Sequence, residues 1–382
     1  MKEKDKFSRN YSLLKNKARS VLFKSRFRLR LNHNYRTLAY TPGLISQNDP
    51  ISNEDLQSLI NRLKPFYLLS DSRHSKNMDS GWVKIFLRLQ GDIHDAFSKN
   101  NDKKIADILN FPSKYNLFYG FENLCRELLR NKRLEDILEP ELTMDSLITL
   151  CEAMGVLRIA NPESIRIKKN IDADTALELI ENELGLQLKF PNPFKYEYGI
   201  KTKSGIISYR AIQALYQAWK IYQLTKEKKN PKILEIGGGL GRTAYYANLM
   251  GIKDYTIVDI PISSVAQANF LTRTLTPDTI HLEGEPCNEK STINLVTPHY
   301  FLNNNQVYDV ILNADSLVEI DIKVAKEYLD KIKTSCNTFL SINHEFNAFT
   351  INELGKEMNF MKKHSRSIYW VRRGYVEEIF KN

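Results

Sequence analysis

Cysteine is scarce in this chain of 382 residues, which has four of them at widely separated positions. The four are Cys125, Cys151, Cys287 and Cys336. No C-x-x-C pair occurs, and no pair of histidines lies near any of them. Such spacing suggests neither a disulfide framework nor a zinc site, and it is typical of free thiols in a reducing compartment. We expect these thiols to fill core positions.

A run of about 18 or more apolar residues is also missing, so the sequence predicts no membrane-spanning helix. The N-terminus lacks the apolar central stretch of a signal peptide. The composition, 42% hydrophobic and 26% charged, is typical of a soluble globular protein. We therefore expect a cytoplasmic protein with two or three domains.

Acidic residues are rare in only one segment, residues 1–37, which hold 12 Lys or Arg and two acids. Because the whole chain has a net charge of +10, residues 38–382 are neutral. A neutral catalytic region argues against a basic groove for nucleic acid. We expect no nucleic-acid partner.

The segment 1–37 is a basic N-terminal arm in which apolar residues recur at three- and four-residue spacing. These residues are Phe7, Tyr11, Leu14, Ala18 and Leu22. As a helix, the arm would be amphipathic and could bind a partner or the inner face of a membrane. A solvated basic tail and a transit peptide are the alternatives.

Helical signals extend from about residue 50 to 190, and we interpret residues 38–190 as a helical domain without chemistry of its own. The last predicted helix opens at Thr175, with Glu178 three residues later, the spacing of a capping box. The prolines Pro191 and Pro193 then interrupt regular structure.

Residues 191–382 alternate between helical and β-rich segments, starting with a predicted helix over 208–226. The β-rich runs are residues 232–236, 255–259, 279–282, 308–312 and 338–342. Strands alternating with helices indicate a parallel sheet with helices on both faces. The predicted fold is α/β, a doubly wound and mostly parallel Rossmann-like sheet preceded by the helical domain.

A glycine-rich turn ends the first of these strands, in the segment ILEIGGGLG of residues 233–241. The glycines permit a sharp turn and close approach of a ligand to the backbone. A dinucleotide site would prefer a glycine where Arg242 stands and no acid near its phosphates. The acid Glu235, placed before the turn, suits a ligand with a cationic amino-acid end. The predicted cofactor-binding residues here are Glu235, Gly237, Gly238, Gly239 and Gly241.

The second strand ends in Asp259, 18 residues beyond Gly241. An acid at this position of a Rossmann-like sheet can accept hydrogen bonds from both ribose hydroxyls. A ligand with an amino-acid end, a ribose and no phosphate is S-adenosylmethionine, which we predict as the cofactor.

The sequence over residues 190–380 resembles the class I S-adenosylmethionine-dependent methyltransferases, and within that class the bacterial sugar O-methyltransferases. The matching segments are residues 192–193, 233–244, 258–261, 313–319, 341–344 and 372–378. The resemblance implies methyl transfer to a hydroxyl of a surface glycan or a nucleotide-linked sugar. It implies little about residues 1–190.

Catalytic candidates are expected beyond the carboxyl ends of the strands, where ligands bind in such sheets. This criterion adds Asn313 to the predicted cofactor-binding residues and selects Asp315, Glu319 and His344 as catalytic candidates. The hydroxyl must lose a proton during attack, and a histidine suits a base at neutral pH. Asp315 or Glu319 could orient the imidazole or act as the base. The alternative to catalysis is a structural role for each residue. His344 would then cap a strand, and Glu319 would lie on a solvated helix.

No spacing of acids or histidines demands a metal ion, and we predict none. Two other functions remain compatible with the sequence. One is methylation of a different acceptor, such as a small metabolite, a protein or RNA. The other is a non-catalytic adapter that keeps the fold as a relic, although the glycine turn and both acids are intact.

Overall fold

The structure is a computed structural model that describes a large part of the chain. It covers residues 35–37, 40–74, 81–120, 135–159, 168–286, 288–360 and 362–382. The predicted arm helix lies outside these residues. In the parts of the chain covered, no helix is both long and apolar enough to cross a membrane.

An eight-stranded sheet forms the centre of the C-terminal half. In chain order its strands are β6 Lys232–Ile236, β7 Asp254–Val258, β8 Ile280–Leu282, β9 Ile293–Val296, β10 Tyr308–Ala314, β11 Cys336–His344, β12 Lys363–Ile368 and β13 Tyr375–Lys381. Their spatial order is β12-β13-β11-β10-β6-β7-β9-β8. All neighbouring pairs are parallel except those made by β13. The predicted doubly wound, Rossmann-like fold is confirmed.

The strand order contains one switch point, between β6 and β10. From β6 the chain proceeds through β7 towards one edge, and from β10 it proceeds through β11 towards the other. In open α/β sheets the crevice for a ligand opens at such a switch point, beyond the carboxyl ends of the strands. The fold thus places the ends of β6, β7 and β10 around one crevice.

Eleven α-helices are assigned among the described residues. They are α1 Asn53–His74, α2 Gly81–Ser98, α3 Asp102–Asn110, α4 Glu135–Ala153, α5 Ala173–Leu184, α6 Tyr209–Thr225, α7 Arg242–Leu249, α8 Pro261–Thr274, α9 Pro298–Asn303, α10 Ile322–Ser335 and α11 Ile351–Glu357. The helix predicted over 208–226 is confirmed as α6. Its N-cap is Ser208, whose side chain accepts a hydrogen bond from the backbone N–H of Ala211.

The capping box predicted at Thr175 is wrong. Helix α5 begins two residues earlier, and Asp172 is its N-cap. The carboxylate of Asp172 accepts a hydrogen bond from the backbone N–H of Thr175 at 2.8 Å. An aspartate at this position satisfies an N–H that no helical carbonyl reaches, so it displaces the predicted cap.

The N-terminal helices share a core with the sheet domain. Helix α1 packs against α8, and α4 packs against α6. A single cluster of buried side chains includes Leu63 of α1 and Phe270 of α8. Arg62 adds hydrogen bonds to Glu285 at 2.7 Å and to the carbonyl of Ile280 at 2.6 Å. Helix α8 is therefore covered on both sides, which explains why nearly all its residues are buried.

A three-stranded sheet adds a backbone link between the two regions. Strand β2, Pro42–Leu44, pairs antiparallel with β4, Tyr198–Thr202, which pairs with β5, Gly205–Ile207. A further two-stranded pair joins β1, Tyr35–Thr37, to β3, Lys168–Ile171. These short strands lie in stretches for which the sequence predicts no strand.

Two of the four thiols are described, and both Cys151 and Cys336 are free and buried, as predicted. Burial raises the pKa of each thiol to about 12. They are therefore protonated core side chains without nucleophilic character at neutral pH.

Candidate functional site

A cavity of about 550 Å³ opens at the carboxyl ends of the central strands. Its wall includes the turn after β6, the first residues after β7 and the segment after β10. Gln90 of α2 and Tyr119 also contribute, so the N-terminal region forms part of the wall. The volume lies in the range of small-molecule sites, roughly 300–1,000 Å³.

The glycine turn has a backbone that other residues do not readily adopt. Gly237, Gly239 and Gly241 have φ angles of +76°, +55° and +87°. A Cβ at Gly237 would collide with the side chain of Ser316, and one at Gly238 would lie 2.6 Å from Cγ2 of Ile257. Glycine is needed here because the chain turns tightly and other side chains pack against the backbone.

Four of the five residues predicted in this segment line the cavity. Glu235, Gly237, Gly238 and Gly239 belong to its wall, whereas Gly241 does not. Gly241 is instead the N-cap of helix α7 and has a left-handed conformation. A Cβ added at Gly241 would lie 3.3 Å from Cδ1 of Leu271. Its role is to start the helix.

Glu235 is a buried acid without an ion-pair partner among the described residues. Its side chain is 2% exposed, and Oε2 accepts a hydrogen bond from the hydroxyl of Tyr255 at 2.9 Å. Burial raises the pKa of Glu235 to about 7, although the bond from Tyr255 opposes the shift. A buried carboxylate of this kind is stabilised by any cation that enters the cavity.

Asp259 follows β7, and its carboxylate is held by hydrogen bonds. Its carboxylate accepts bonds from the backbone N–H of Ile260 at 2.8 Å and from Nε2 of Gln267 at 2.7 Å. The same Nε2 atom donates to the carbonyl of Gly239 at 3.1 Å, which ties the acid to the glycine turn. Burial raises the pKa of Asp259 to about 6.

Asp315 is the first residue after β10 and lines the cavity. Its φ of +60° is unusual for a residue other than glycine, and such strain clusters at functional sites. Oδ2 accepts bonds from Nη1 of Arg372 at 2.8 Å and from the hydroxyl of Tyr375 at 2.9 Å. Oδ1 is buried, and no hydrogen-bond donor reaches it from the described part of the chain.

The structure does not bring His344 to the cavity wall. Its Nδ1 accepts a bond from the backbone N–H of Phe346 at 3.3 Å, and its ring packs edge-on against Tyr375 at 5.6 Å. The hypothesis that Asp315 or Glu319 orients this imidazole therefore has no hydrogen bond to support it. Glu319 itself lines the cavity, at the end of the short 3-10 helix Leu317–Glu319.

Asn313, predicted to bind the cofactor, is fully buried beneath the site and does not line the cavity. Its Nδ2 donates to the carbonyl of Ile236 at 3.1 Å and to Oγ of Ser316 at 2.5 Å. Its Oδ1 accepts from Asn343 at 3.0 Å. These bonds hold the ends of β6, β10 and β11 together, so Asn313 supports the site from below.

Several polar residues of the wall were not among the predicted site residues, including Arg210, Gln213, His299 and Arg372. His299 follows strand β9, which was not predicted from the sequence. Arg372 lies in the turn before β13, another strand without a clear pattern.

Arg242, directly after the glycine turn, forms an ion pair with Glu197 at 2.7 Å, and the two side chains are 5% and 1% exposed. The pair neutralises a positive charge that would otherwise attract phosphate at the start of α7. In the covered ranges, no group of three or more His, Cys, Asp or Glu side chains is arranged to hold a metal ion.

Breaking this buried pair should destabilise the protein. Glu197→Gln leaves a buried guanidinium without its counter-charge, and we expect a loss of roughly 3–5 kcal/mol in the free energy of unfolding. Urea denaturation measures it. Asp278→Asn, which breaks the exposed pair with Lys290, is the matched control and should cost less than about 1 kcal/mol. Equal losses in both variants would contradict a structural role for the buried pair.

No family model matches the chain, and no curated protein matches it in sequence. Among solved structures, it is similar to the mitomycin 7-O-methyltransferase at 14% identity, with 46% of this chain and 56% of that chain covered and a TM-score of 0.31. It is similar to magnesium protoporphyrin IX methyltransferase of Synechocystis PCC 6803 at 9% identity, with 45% and 81% covered and a TM-score of 0.34. It is also similar to a glycopeptide N-methyltransferase complexed with sinefungin, at 11% identity. That comparison covers 44% of this chain and 87% of the other chain, with a TM-score of 0.34.

Proposed function

We propose that the protein is an S-adenosylmethionine-dependent O-methyltransferase that methylates a sugar hydroxyl. The observation that carries the proposal is the pair of acids on the cavity wall, Glu235 and Asp259, each with a raised pKa and no ion-pair partner among the described residues. Two desolvated acids favour a ligand that brings a positive charge and hydroxyl groups. S-adenosylmethionine has both.

The same observation disfavours a nucleotide cofactor with phosphates. A pyrophosphate at the glycine turn would lie beside two carboxylates, and like charges in a desolvated site repel strongly. Arg242, a cation next to the turn, is already paired with Glu197.

The sheet order suggests how the cofactor is placed. Asp259 follows β7 and Asp315 follows β10, on either side of β6 and its glycine turn. Neighbouring strands lie about 4.8 Å apart, so these two acids are at opposite ends of the crevice. With the ribose at Asp259 and the amino group near Glu235, the acceptor belongs at the Asp315 end.

When bound, the cofactor supplies an electrophilic methyl group. Asp315 is our candidate for the base, because Oδ1 has no other donor among the described residues and can take the proton that the acceptor hydroxyl loses. Arg372 and Tyr375 fix the opposite oxygen and so orient the carboxylate. Burial raises the pKa of Tyr375, so this donor stays protonated at neutral pH.

The choice of a sugar as acceptor rests mainly on the sequence resemblance. The direct test is transfer of a radiolabelled methyl group to a panel of sugars, nucleotide-linked sugars and glycan extracts. Label only in protein or RNA would reassign the acceptor, and no binding of S-adenosylmethionine would reject the enzyme itself.

Removing the ribose contact should weaken cofactor binding selectively. We expect Asp259→Ala to reduce the affinity for S-adenosylmethionine by about 1.5–3 kcal/mol, the worth of hydrogen bonds to a charged group. Calorimetric titration measures it, with Asp330→Ala, an exposed acid of α10, as the control. An unchanged dissociation constant in a folded Asp259→Ala protein would remove ribose recognition from this residue.

A further inference from the structure

Two side chains at the Asp315 end of the cavity have N–H groups that no acceptor among the described residues uses. Arg372 uses only Nη1 in its hydrogen bonds, to Asp315 at 2.8 Å and to Gln213 at 3.5 Å. Its Nε and Nη2 atoms therefore keep their N–H groups available as far as the described residues show. The side chain of Arg372 is 25% exposed and lines the cavity.

Gln213 provides a second unused donor. It is 5% exposed and lines the cavity, and its Nε2 has no hydrogen-bond partner in the covered ranges. Its Oε1 accepts from Arg372, which fixes the orientation of the amide. A buried amide N–H without a partner is unfavourable, and an oxygen of the ligand would satisfy it.

The guanidinium of Arg372 is held in place. It lies 3.8 Å from the centre of the Tyr375 ring, and the second guanidinium on this wall, Arg210, is 3.9 Å from the carboxylate of Asp315. The free edge of Arg372, formed by Nε and Nη2, has the spacing that matches two oxygens of a carboxylate or phosphate. A neutral sugar has no group that fits this edge as well.

We propose that the acceptor is an anionic sugar, whose carboxylate or phosphate binds Arg372 and Gln213 while its hydroxyl donates to Oδ1 of Asp315. This inference deepens the proposed function and rests on it. A uronic acid and a phosphorylated or nucleotide-linked sugar share the required chemistry, and the experiment separates them.

The experiment is calorimetric titration of the protein, saturated with S-adenosylhomocysteine, with glucuronate, glucose 6-phosphate and glucose. We expect at least one charged sugar to bind more tightly than glucose, and its affinity to fall as salt is raised. Preference for glucuronate identifies the carboxylate, and preference for glucose 6-phosphate identifies the phosphate. If neither charged sugar binds more tightly than glucose, the proposal is overturned.

Three variants assign the effect to this wall. Arg372→Gln should weaken binding of the preferred charged sugar roughly tenfold or more. Arg373→Gln, its half-exposed neighbour that faces Asp145, should leave binding unchanged. Gln213→Glu is a second substitution in the same pocket. It should weaken binding of the charged sugar by repulsion and leave the affinity for glucose unchanged. Equal effects of Arg372→Gln and Arg373→Gln would overturn the assignment.

Failure of the proposed function has a different signature. If S-adenosylhomocysteine and S-adenosylmethionine do not bind, the methyltransferase proposal fails, and the sugar titrations can still be carried out on the protein without them. If the cofactor binds and charge makes no difference to sugar binding, only the anionic acceptor is rejected.

Discussion

Asp315→Asn is expected to lower the rate of methyl transfer roughly 10²–10⁴-fold, the usual contribution of a general base. Asparagine can still accept the bonds from Arg372 and Tyr375, but it cannot take a proton from the acceptor. Affinity for S-adenosylmethionine should stay within about twofold, because Glu235 and Asp259 are unchanged. Turnover is measured with radiolabelled cofactor, and affinity by calorimetry.

His344→Gln is the informative comparison. Because His344 is not part of the cavity wall, we expect this variant to keep near-normal turnover. A loss in His344→Gln as large as that in Asp315→Asn would return the role of base to the histidine. Wild-type turnover in Asp315→Asn would exclude Asp315 instead.

Cofactor affinity should depend on pH through Glu235. The pKa of this acid is about 7 before a ligand binds, so it is mostly neutral at pH 6 and mostly charged at pH 7.5. Only the charged form attracts a cation, and affinity for S-adenosylmethionine should therefore fall on the order of tenfold between pH 7.5 and pH 6. Protons should be released on binding within this window.

Glu235→Gln should remove most of this pH dependence and weaken binding at pH 7.5 by roughly 10–100-fold, the worth of a charge-assisted contact. The amide can still accept the bond from Tyr255, so the fold should survive. Glu227→Gln, an exposed acid just before β6, is the control. Retention of the full pH dependence in Glu235→Gln would show that the titrating group lies elsewhere.

The central strands and the glycine turn could be predicted because local sequence specifies them. Buried parallel strands are short apolar runs, and the left-handed φ angles of Gly237 and Gly239 need glycine whatever the rest of the chain does. Glu235 is the penultimate residue of β6, and Asp259 directly follows β7. Their positions at the site then follow from the parallel order alone.

Strand β13 could not be predicted because its pattern depends on distant partners. Glu377 and Glu378 are buried in its middle. Glu377 is paired with Lys220 at 2.7 Å and Tyr216 at 2.6 Å, both from α6. No local rule assigns two adjacent acids to a sheet interior. Arg372 precedes this strand, and its position on the cavity wall could not be predicted for the same reason.

The preference for His344 over Asp315 had a related cause. Sequence places both residues at strand ends on the same edge of the sheet, and it gives no directions for their side chains. The backbone at Asp315 turns into the left-handed region, and its carboxylate faces Arg372 and the cavity. His344 is the last residue of β11 and pairs with Tyr375 of β13. Its side chain does not line the cavity.

The pairing of Pro42 with Ile200 has a consequence for synthesis on the ribosome. Strand β2 emerges early, yet its partner β4 emerges only after all of α1 to α5 has been made. Helix α1 likewise waits for α8 before its apolar face is covered. Contacts this distant in sequence form slowly, and the nascent chain exposes apolar surface meanwhile. The N-terminal helices are therefore expected to need a chaperone until the sheet domain has been translated.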